Sequence, residues 1–194
     1  GRVRHAGHLR RLARGLSWVP GTFTWVEPTA WGLLSLRAAG QSDHPRAVEA
    51  RRVIADRQCS DGGWNAGTPN VLGKDLHGYL YLTGWVVAAL APSDVADRGL
   101  AFLGGVDARP STRNLSLAIL ARWAHGLPLG RAPDLLRARQ SDDGSFGDRC
   151  DRTALAGCAL RAIDTGVFPF REGLDRPLSE EQQREDASLA EGAP

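Results

Sequence analysis

Apolar residues are concentrated in four short segments, each of which begins with a polar residue. The segments are TAWGLLSL from Thr29, TGWVVAAL from Thr83, RNLSLAIL from Arg113 and TALAGCAL from Thr153. Helices that are apolar around nearly their whole circumference lie inside a protein. Small residues recur along all four segments, which allows neighbouring helices to approach closely. The pattern therefore predicts four buried helices that pack against one another.

Amphipathic segments alternate with the apolar ones. HLRRLARGL places Leu9, Leu12, Ala13 and Leu16 on one helical face, at the spacing typical of an amphipathic helix. Similar stretches are AVEARRVIADRQ, DVADRGLAFLGG and APDLLRARQ, and each precedes a glycine-containing turn. No segment shows sustained alternation of period two. We therefore predict an all-α fold of four helix pairs, each with an outer amphipathic and an inner apolar helix.

Two turns between these helices share one sequence pattern. QCSDGGW from Gln58 and QSDDGSF from Gln140 both contain glutamine, aspartate, glycine and an aromatic residue in that order. A glutamine amide bonds backbone groups at a helix end, aspartate caps a turn, and glycine permits backbone angles that other residues resist. Because the set occurs twice, we interpret it as a clamp between repeats. The turn at residues 104–112 lacks glutamine and tryptophan, so the third repeat is degenerate.

The repeats predict one domain, residues 1–171, followed by an acidic tail, residues 172–194. The tail has seven acidic residues and two arginines, a net charge of −5, which is typical of a frayed helix or a disordered segment. No apolar run approaches the ~20 residues needed to cross a bilayer, and no secretory signal is present, which favours a cytoplasmic location. The basic segment 8–16 indicates either an outer helix or peripheral contact with an anionic membrane. The scattered arginines argue against nucleic acid as a partner.

The two turns resemble the glutamine-tryptophan repeats of squalene-hopene and oxidosqualene cyclases and of protein prenyltransferase β-subunits. The stretch GTFTWVEPTAWGLLSL is also similar to bacterial prenyltransferase and squalene-cyclase repeat proteins. This resemblance covers residues 15–165. It implies an α/α toroid in which inner helices surround a central cavity and outer helices enclose them. A complete toroid of this family has more than four helix pairs, so the resemblance implies an incomplete ring.

The resemblance also suggests catalytic carboxyl groups. In the squalene-hopene type, the proton donor lies in a DxDD motif directly before Thr-Ala at the start of an inner helix. Glu27 and Asp151 stand at the place of the central acid before Thr29 and Thr153, and Asp148 precedes Asp151, but neither site is a DxDD. A helix N-terminus favours the ionised carboxylate, whereas a proton donor must retain its acid form. The candidate catalytic residues are thus Asp151, Glu27 and Asp148, with helix capping as the alternative.

A zinc site is a second implication of the resemblance. Prenyltransferase β-subunits bind zinc through an Asp-x-Cys pair before an inner helix and through a later histidine. Asp148 and Cys150 match that pair in type and spacing, and a zinc-bound thiolate suits prenyl transfer. No histidine follows Cys150, so we expect no cofactor, with zinc as the alternative. The three cysteines are an odd number and are expected to be free thiols.

Aromatic side chains form the candidate ligand-binding set. Trp31 and Trp85 each lie two residues after the threonine of an inner helix, and Tyr81 precedes the second of them. Aromatic faces that line a cavity stabilise carbocations by cation–π attraction, worth ~0.5–2 kcal/mol each. The alternative for both tryptophans is packing against the outer helices.

Two functional hypotheses follow. One is a terpenoid cyclase or prenyltransferase-like enzyme that acts on an isoprenoid or another apolar chain in a central cavity. The other is a non-catalytic repeat domain that binds a lipid-like ligand or a partner protein. The chain has no DxDD, no zinc histidine after Cys150 and no DDxxD motif, so both hypotheses stay open.

Overall fold

The computed structural model describes residues 15–19, 22–104 and 110–170, and seven helices account for most of them. The helices are α1 (Val26–Ala38), α2 (Pro45–Asp56), α3 (Leu80–Ala89), α4 (Asp94–Gly104), α5 (Thr112–Ala124), α6 (Ala132–Arg137) and α7 (Cys150–Thr165). The predicted helical class is confirmed for this part of the chain. The outer helix predicted at residues 8–16, apart from its last two positions, and the tail at residues 172–194 lie outside the described residues. No helix within the described ranges is both long and apolar enough to cross a bilayer.

The four apolar segments form α1, α3, α5 and α7, which pack side by side in that order. We call these the inner helices. The outer helices α2, α4 and α6 pack against α1, α3 and α5, respectively. The described residues form an open row from α1 to α7, and they do not show a closed toroid.

Contacts at both ends of the inner helices show that α1, α3 and α5 run in the same direction, and the effect of the Arg113 charge on Asp151 places the start of α7 on the same side. At their starts, Arg113 of α5 lies 3.7 Å from Glu27 of α1. At their ends, Arg37 of α1 donates to the Ala88 carbonyl oxygen of α3 at 3.5 Å. The ring of His125, which follows α5, is hydrogen bonded to a carbonyl oxygen in the last turns of α3. Equivalent positions of the inner helices therefore lie on the same side of the row.

Close packing between α3 and α5 depends on Gly84. A Cβ atom at this position would lie 2.6 Å from the Cβ atom of Leu117, which is closer than side chains approach in folded proteins. Leu117 itself is fully buried. The absence of a side chain at Gly84 thus allows the two helix backbones to come together.

The first glutamine-containing turn joins three helices. Gln58 Nε2 donates to the carbonyl oxygen of Val95, in the first turn of α4, at 2.9 Å. Trp64 is fully buried, and its indole Nε1 donates to the Ile54 carbonyl oxygen of α2 at 2.8 Å. The backbone N–H of Trp64 donates to Thr83 Oγ1 of α3 at 3.0 Å. These bonds confirm the predicted clamp between repeats.

The second turn has the same local hydrogen bonds but lacks the long-range one. Gln140 Nε2 donates to the Gly144 carbonyl oxygen at 3.0 Å, as Gln58 does to Gly62 at 2.9 Å. Gln140 is exposed, however, and its amide makes no hydrogen bond to another helix within the described residues. The difference arises because the described chain has no outer helix after α7 to receive such a bond.

Threonines at the starts of three inner helices share one structural role. Thr29, Thr83 and Thr153 are each the fourth residue of their helix. Each side-chain oxygen accepts a hydrogen bond of 2.9–3.0 Å from a backbone N–H of the preceding segment. In α5 the fourth residue is Leu115, which has no hydroxyl group to accept such a bond. These threonines, two of which belong to the Thr-Ala pairs, therefore join loop to helix. This role does not depend on a catalytic function of the neighbouring carboxyl groups.

A short hairpin was not predicted. The strands β1 (Asn70–Val71) and β2 (Lys74–Asp75) pair in antiparallel fashion, and they are too short to show period-two alternation. Leu72 and Gly73 form the turn, both with positive φ, of 51° and 79°. Positive φ at both turn positions is the geometry of a tight two-residue hairpin. Leu72 is 99% exposed at its tip.

We predict that Gln58→Ala lowers the free energy of unfolding by about 1–3 kcal/mol. Two carbonyl oxygens lose the glutamine donor that ties the turn to α4. Gln140→Ala is the matched control, and it should cost about 0.5 kcal/mol or less, because its amide is exposed and bonded only locally. Chemical denaturation followed by circular dichroism measures both values. Equal losses in the two variants would contradict the clamp between repeats.

Candidate functional site

Four side chains occupy the same position at the start of the inner helices. Glu27, Tyr81, Arg113 and Asp151 are the second residues of α1, α3, α5 and α7. Because these helices run in the same direction, the four positions follow one another along the side of the row on which the inner helices begin. We call this set the rim. Arg113 is the first residue of its apolar segment, as the threonines are of theirs. In the structure, however, it is the second residue of its helix, the position that Glu27 and Asp151 occupy in theirs. Sequence reasoning missed Arg113 because it aligned the segments and not the helices.

Arg113 is the centre of the rim. Its guanidinium carbon lies 4.0 Å from the centroid of the Tyr81 ring, and its Nη2 lies 3.7 Å from Glu27 Oε1. Tyr79 stacks on Tyr81, with 6.3 Å between ring centroids and an interplanar angle of 8°. Arg113 thus links α5 to α1 across α3 by an ion pair and a cation–π contact.

Glu27 is the less exposed of the two acids in the rim. Its side chain is 21% exposed. Burial raises the pKa of Glu27 above its ordinary value, and the positive charge of Arg113 partly opposes that rise. Its place at a helix N-terminus predicted the opposite tendency, but burial is the larger effect here. Burial also raises the pKa of Tyr81, with the Glu27 charge as a further cause.

Asp151 has a different environment, although it occupies the equivalent position. Arg149 donates from Nε to Oδ1 at 2.9 Å and from Nη2 to Oδ2 at 3.0 Å. These hydrogen bonds lower the pKa of Asp151, whose side chain is about half exposed. Asp148 is exposed in the loop before α7. The arrangement keeps Asp151 ionised, and an ionised carboxylate is unsuited to donating a proton.

The alternative zinc site has no third ligand in the described part of the chain. Asp148 and Cys150 are both exposed. No group of three or more histidine, cysteine, aspartate or glutamate side chains lies close enough to hold a metal ion among the described residues. Cys59, Cys150 and Cys158 are free, as predicted.

Six aromatic rings form a continuous row across the inner helices. Neighbouring ring centroids are 5.4–5.9 Å apart, in edge-to-face geometry except for the stacked last pair. In order, the aromatic row consists of Trp18, Trp31, Trp85, Phe170, Phe168 and Trp123. Sequence reasoning identified Trp31 and Trp85. It missed Trp18, Phe168 and Phe170. These residues lie before α1 and after α7, in segments whose sequence shows no helical periodicity.

A pocket of about 300 Å³ opens beside this row, between α1 and α3. Its lining consists of Trp31, Leu34, Ser35, Ala38, Trp85 and Phe170. The Ser35 hydroxyl donates to the carbonyl oxygen of its own helix at Trp31, at 2.9 Å, so the lining is effectively apolar. Trp31 is 41% exposed. The volume is at the lower end of the range typical of small-molecule sites, about 300–1,000 Å³.

The rim and the pocket lie on the same helical faces. Trp31 follows Glu27 by four residues, and Trp85 follows Tyr81 by four residues. Four residues are about one helical turn, or ~6 Å along the axis, so each pair lies on one face. Tyr81, predicted from the sequence to bind ligand, belongs to the rim. The site therefore combines a charged end at Arg113 with an apolar continuation.

No protein family, curated protein or solved structure matches this chain. The resemblance to cyclase and prenyltransferase repeats therefore rests on the motifs of the sequence alone.

We predict that Arg113→Gln raises the pKa of Glu27 further, because it removes the positive charge that opposes the effect of burial. Arg149→Gln should raise the pKa of Asp151 towards its ordinary value, because the two hydrogen bonds that favour the carboxylate are lost. Titration of the side-chain carboxyl carbons by NMR measures both. Arg149→Gln also serves as the control for Glu27, whose pKa it should leave unchanged. If Arg113→Gln did not move the Glu27 titration, the contact between them would be without energetic effect.

Proposed function

We propose that the chain binds a linear apolar molecule of the isoprenoid class in the pocket between α1 and α3. The observation that carries this proposal is the aromatic row, which leaves Trp31 exposed at the pocket. Clustered apolar surface of this kind is typical of ligand-binding grooves, whereas isolated exposed apolar residues are ordinary. In this proposal the row of inner helices is an arc of an α/α toroid, and the pocket lies on its cavity side.

The lining suits a hydrocarbon chain. Trp31 and Trp85 meet at 5.8 Å with an interplanar angle of 72°, so the pocket presents both a ring face and a ring edge. Phe170 extends the same surface beyond Trp85. Covering apolar surface contributes roughly 25 cal/mol per Å². The hydroxyl group in the lining, on Ser35, already donates to a backbone carbonyl oxygen, so a hydrocarbon would not bury it without a partner.

A terpenoid-cyclase-like reaction is the second candidate, and the pKa of Glu27 favours it. A carboxyl group with a raised pKa, one helical turn from an aromatic pocket, keeps its proton to a higher pH than an exposed glutamate does, and a proton donor to an alkene must keep its proton. In this reaction the proton of Glu27 moves to one alkene carbon, and the π electrons form the new C–H bond. The other alkene carbon becomes a cation near Trp31 and Trp85, while the carboxylate stays beside Arg113. A second alkene of the chain attacks this cation to close the ring, and loss of a proton from a carbon next to the resulting cation gives the neutral product.

We predict that isothermal titration with farnesol, below its solubility limit, shows saturable binding. Trp85→Ala should weaken this binding at least tenfold, because the pocket loses a ring that contacts both Trp31 and Phe170. Leu135→Ala is the matched control, since Leu135 is an exposed apolar residue on α6 that does not line the pocket, and binding should be unchanged. If the wild-type protein does not bind farnesol, the proposed function is wrong.

For the catalytic candidate, we predict that incubation with squalene gives a cyclised product detectable by mass spectrometry. Glu27→Gln should remove it, because the amide cannot donate the proton, while Asp151→Asn should leave turnover within about twofold, because that side chain is held ionised by Arg149. Absence of product from the wild-type protein would eliminate this candidate and leave the binding proposal intact. If Asp151→Asn removes the product, Asp151 and not Glu27 is the proton donor.

A further inference from the structure

Arg113 has hydrogen-bonding capacity that the fold does not use. Its guanidinium group offers five N–H donors, and among the described residues it donates no hydrogen bond. The nearest carboxylate oxygen, on Glu27, lies at 3.7 Å, whereas an N–H···O bond spans ~2.7–3.2 Å. The Arg113 side chain is 40% exposed, so a ligand has access to these donors.

The guanidinium group of Arg113 lies against an aromatic ring. The guanidinium carbon lies 4.0 Å from the centroid of the Tyr81 ring. The Tyr81 ring in turn stacks with the ring of Tyr79. Stacking on an aromatic face leaves the edge of the guanidinium plane available for a planar, two-pronged acceptor. Such bidentate pairs with carboxylates are shorter and stronger than hydrogen bonds between neutral groups.

Glu27 indicates which chemical group this edge accepts. A carboxylate already faces Arg113, but it is held too far away to form the bidentate pair. Burial raises the pKa of Glu27, so this carboxyl group yields its negative charge more readily than an exposed glutamate does. Asp151, the other acid of the rim, is bonded through both oxygens to Arg149, and the charge of Arg113 lowers its pKa only as the last of several causes.

The distance between charge and pocket defines the shape of the ligand. Trp31 and Trp85 lie one turn beyond Glu27 and Tyr81 on the same faces. From Glu27 to Ala38, at the far end of the pocket lining, α1 extends for eleven residues, or ~16 Å. A single apolar chain with an anionic group at one end matches this layout.

We propose that the ligand is a single-chain carboxylic acid whose carboxylate binds Arg113 and whose chain lies in the pocket between Trp31 and Trp85. This inference rests on the proposed function, to which it adds the chemistry of the head group. In the complex Glu27 takes up a proton from solvent and the ligand carboxylate takes its place beside Arg113, so the pair keeps one negative and one positive charge.

The test compares farnesoic acid with farnesol, which share a chain and differ only in the head group, by isothermal titration with the full chain. We expect the acid to bind at least tenfold more tightly than the alcohol. Arg113→Met should reduce that ratio to about one and leave the affinity for farnesol unchanged, so the alcohol also reports that the variant is folded. Arg113→Lys, which keeps the charge without the planar fork, should give an intermediate ratio. Arg122→Met is the matched control on the same helix, and it should retain the full preference.

The outcomes separate the two levels of the proposal. Equal affinities of the wild-type protein for acid and alcohol would overturn the carboxylate inference while the proposed function stands. A preference for the acid that survives Arg113→Met would overturn the assignment to Arg113. Tighter binding of farnesyl diphosphate than of farnesoic acid would overturn the carboxylate class. If neither the acid nor the alcohol binds, the proposed function itself fails.

Discussion

The hydrogen bond from a loop N–H to a threonine hydroxyl sets the rotation of α1, α3 and α7, three of the four inner helices, and much of the site depends on it. Thr29, Thr83 and Thr153 are each turned towards the preceding loop by this bond. Successive helical residues are about 100° apart, so a residue two positions earlier lies on nearly the opposite side. The second residue of each helix therefore faces away from the loop. A tryptophan four positions later, as in α1 and α3, then lies on that same open face.

The sequence predicts the features that are governed by local pattern. Apolar segments predicted the inner helices, and the repeated order of residues from Gln58 and Gln140 predicted the clamp, which the structure shows at Gln58 and not at Gln140. It could not predict the features that depend on helix boundaries or on segments without periodicity. Arg113 begins an apolar segment just as the threonines do, but α5 starts only one residue before it, and this difference places it in the rim. Phe170 reaches Trp85 only because the chain after α7 returns across the row, which no periodicity indicates.

Glu27 and Asp151 show why equivalence of position does not give equivalence of chemistry. Both are second residues of inner helices, and both stand two residues before a threonine that binds the loop. Burial raises the pKa of Glu27, whereas the bidentate contact with Arg149 lowers the pKa of Asp151. The helix dipole acts on both in the same sense and so does not distinguish them. The two residues differ because desolvation acts on Glu27 and a specific cation, Arg149, acts on Asp151. Both effects come from the folded surroundings.

Arg113 gives the rim a property that its carboxylates alone would lack. It joins α5 to α1 by charge while it rests on Tyr81 of α3, so three inner helices meet at one cation. A ligand carboxylate that replaces Glu27 there exchanges one ion pair for another, and because Glu27 takes up a proton in the exchange, the net charge next to Arg113 is unchanged. Burying a charge is costly when it stays unpaired, and here the partner is already in place and already held by an aromatic ring. Discrimination between head groups therefore depends on the geometry of hydrogen bonding at Arg113, while affinity for the chain depends on the aromatic pocket one turn away.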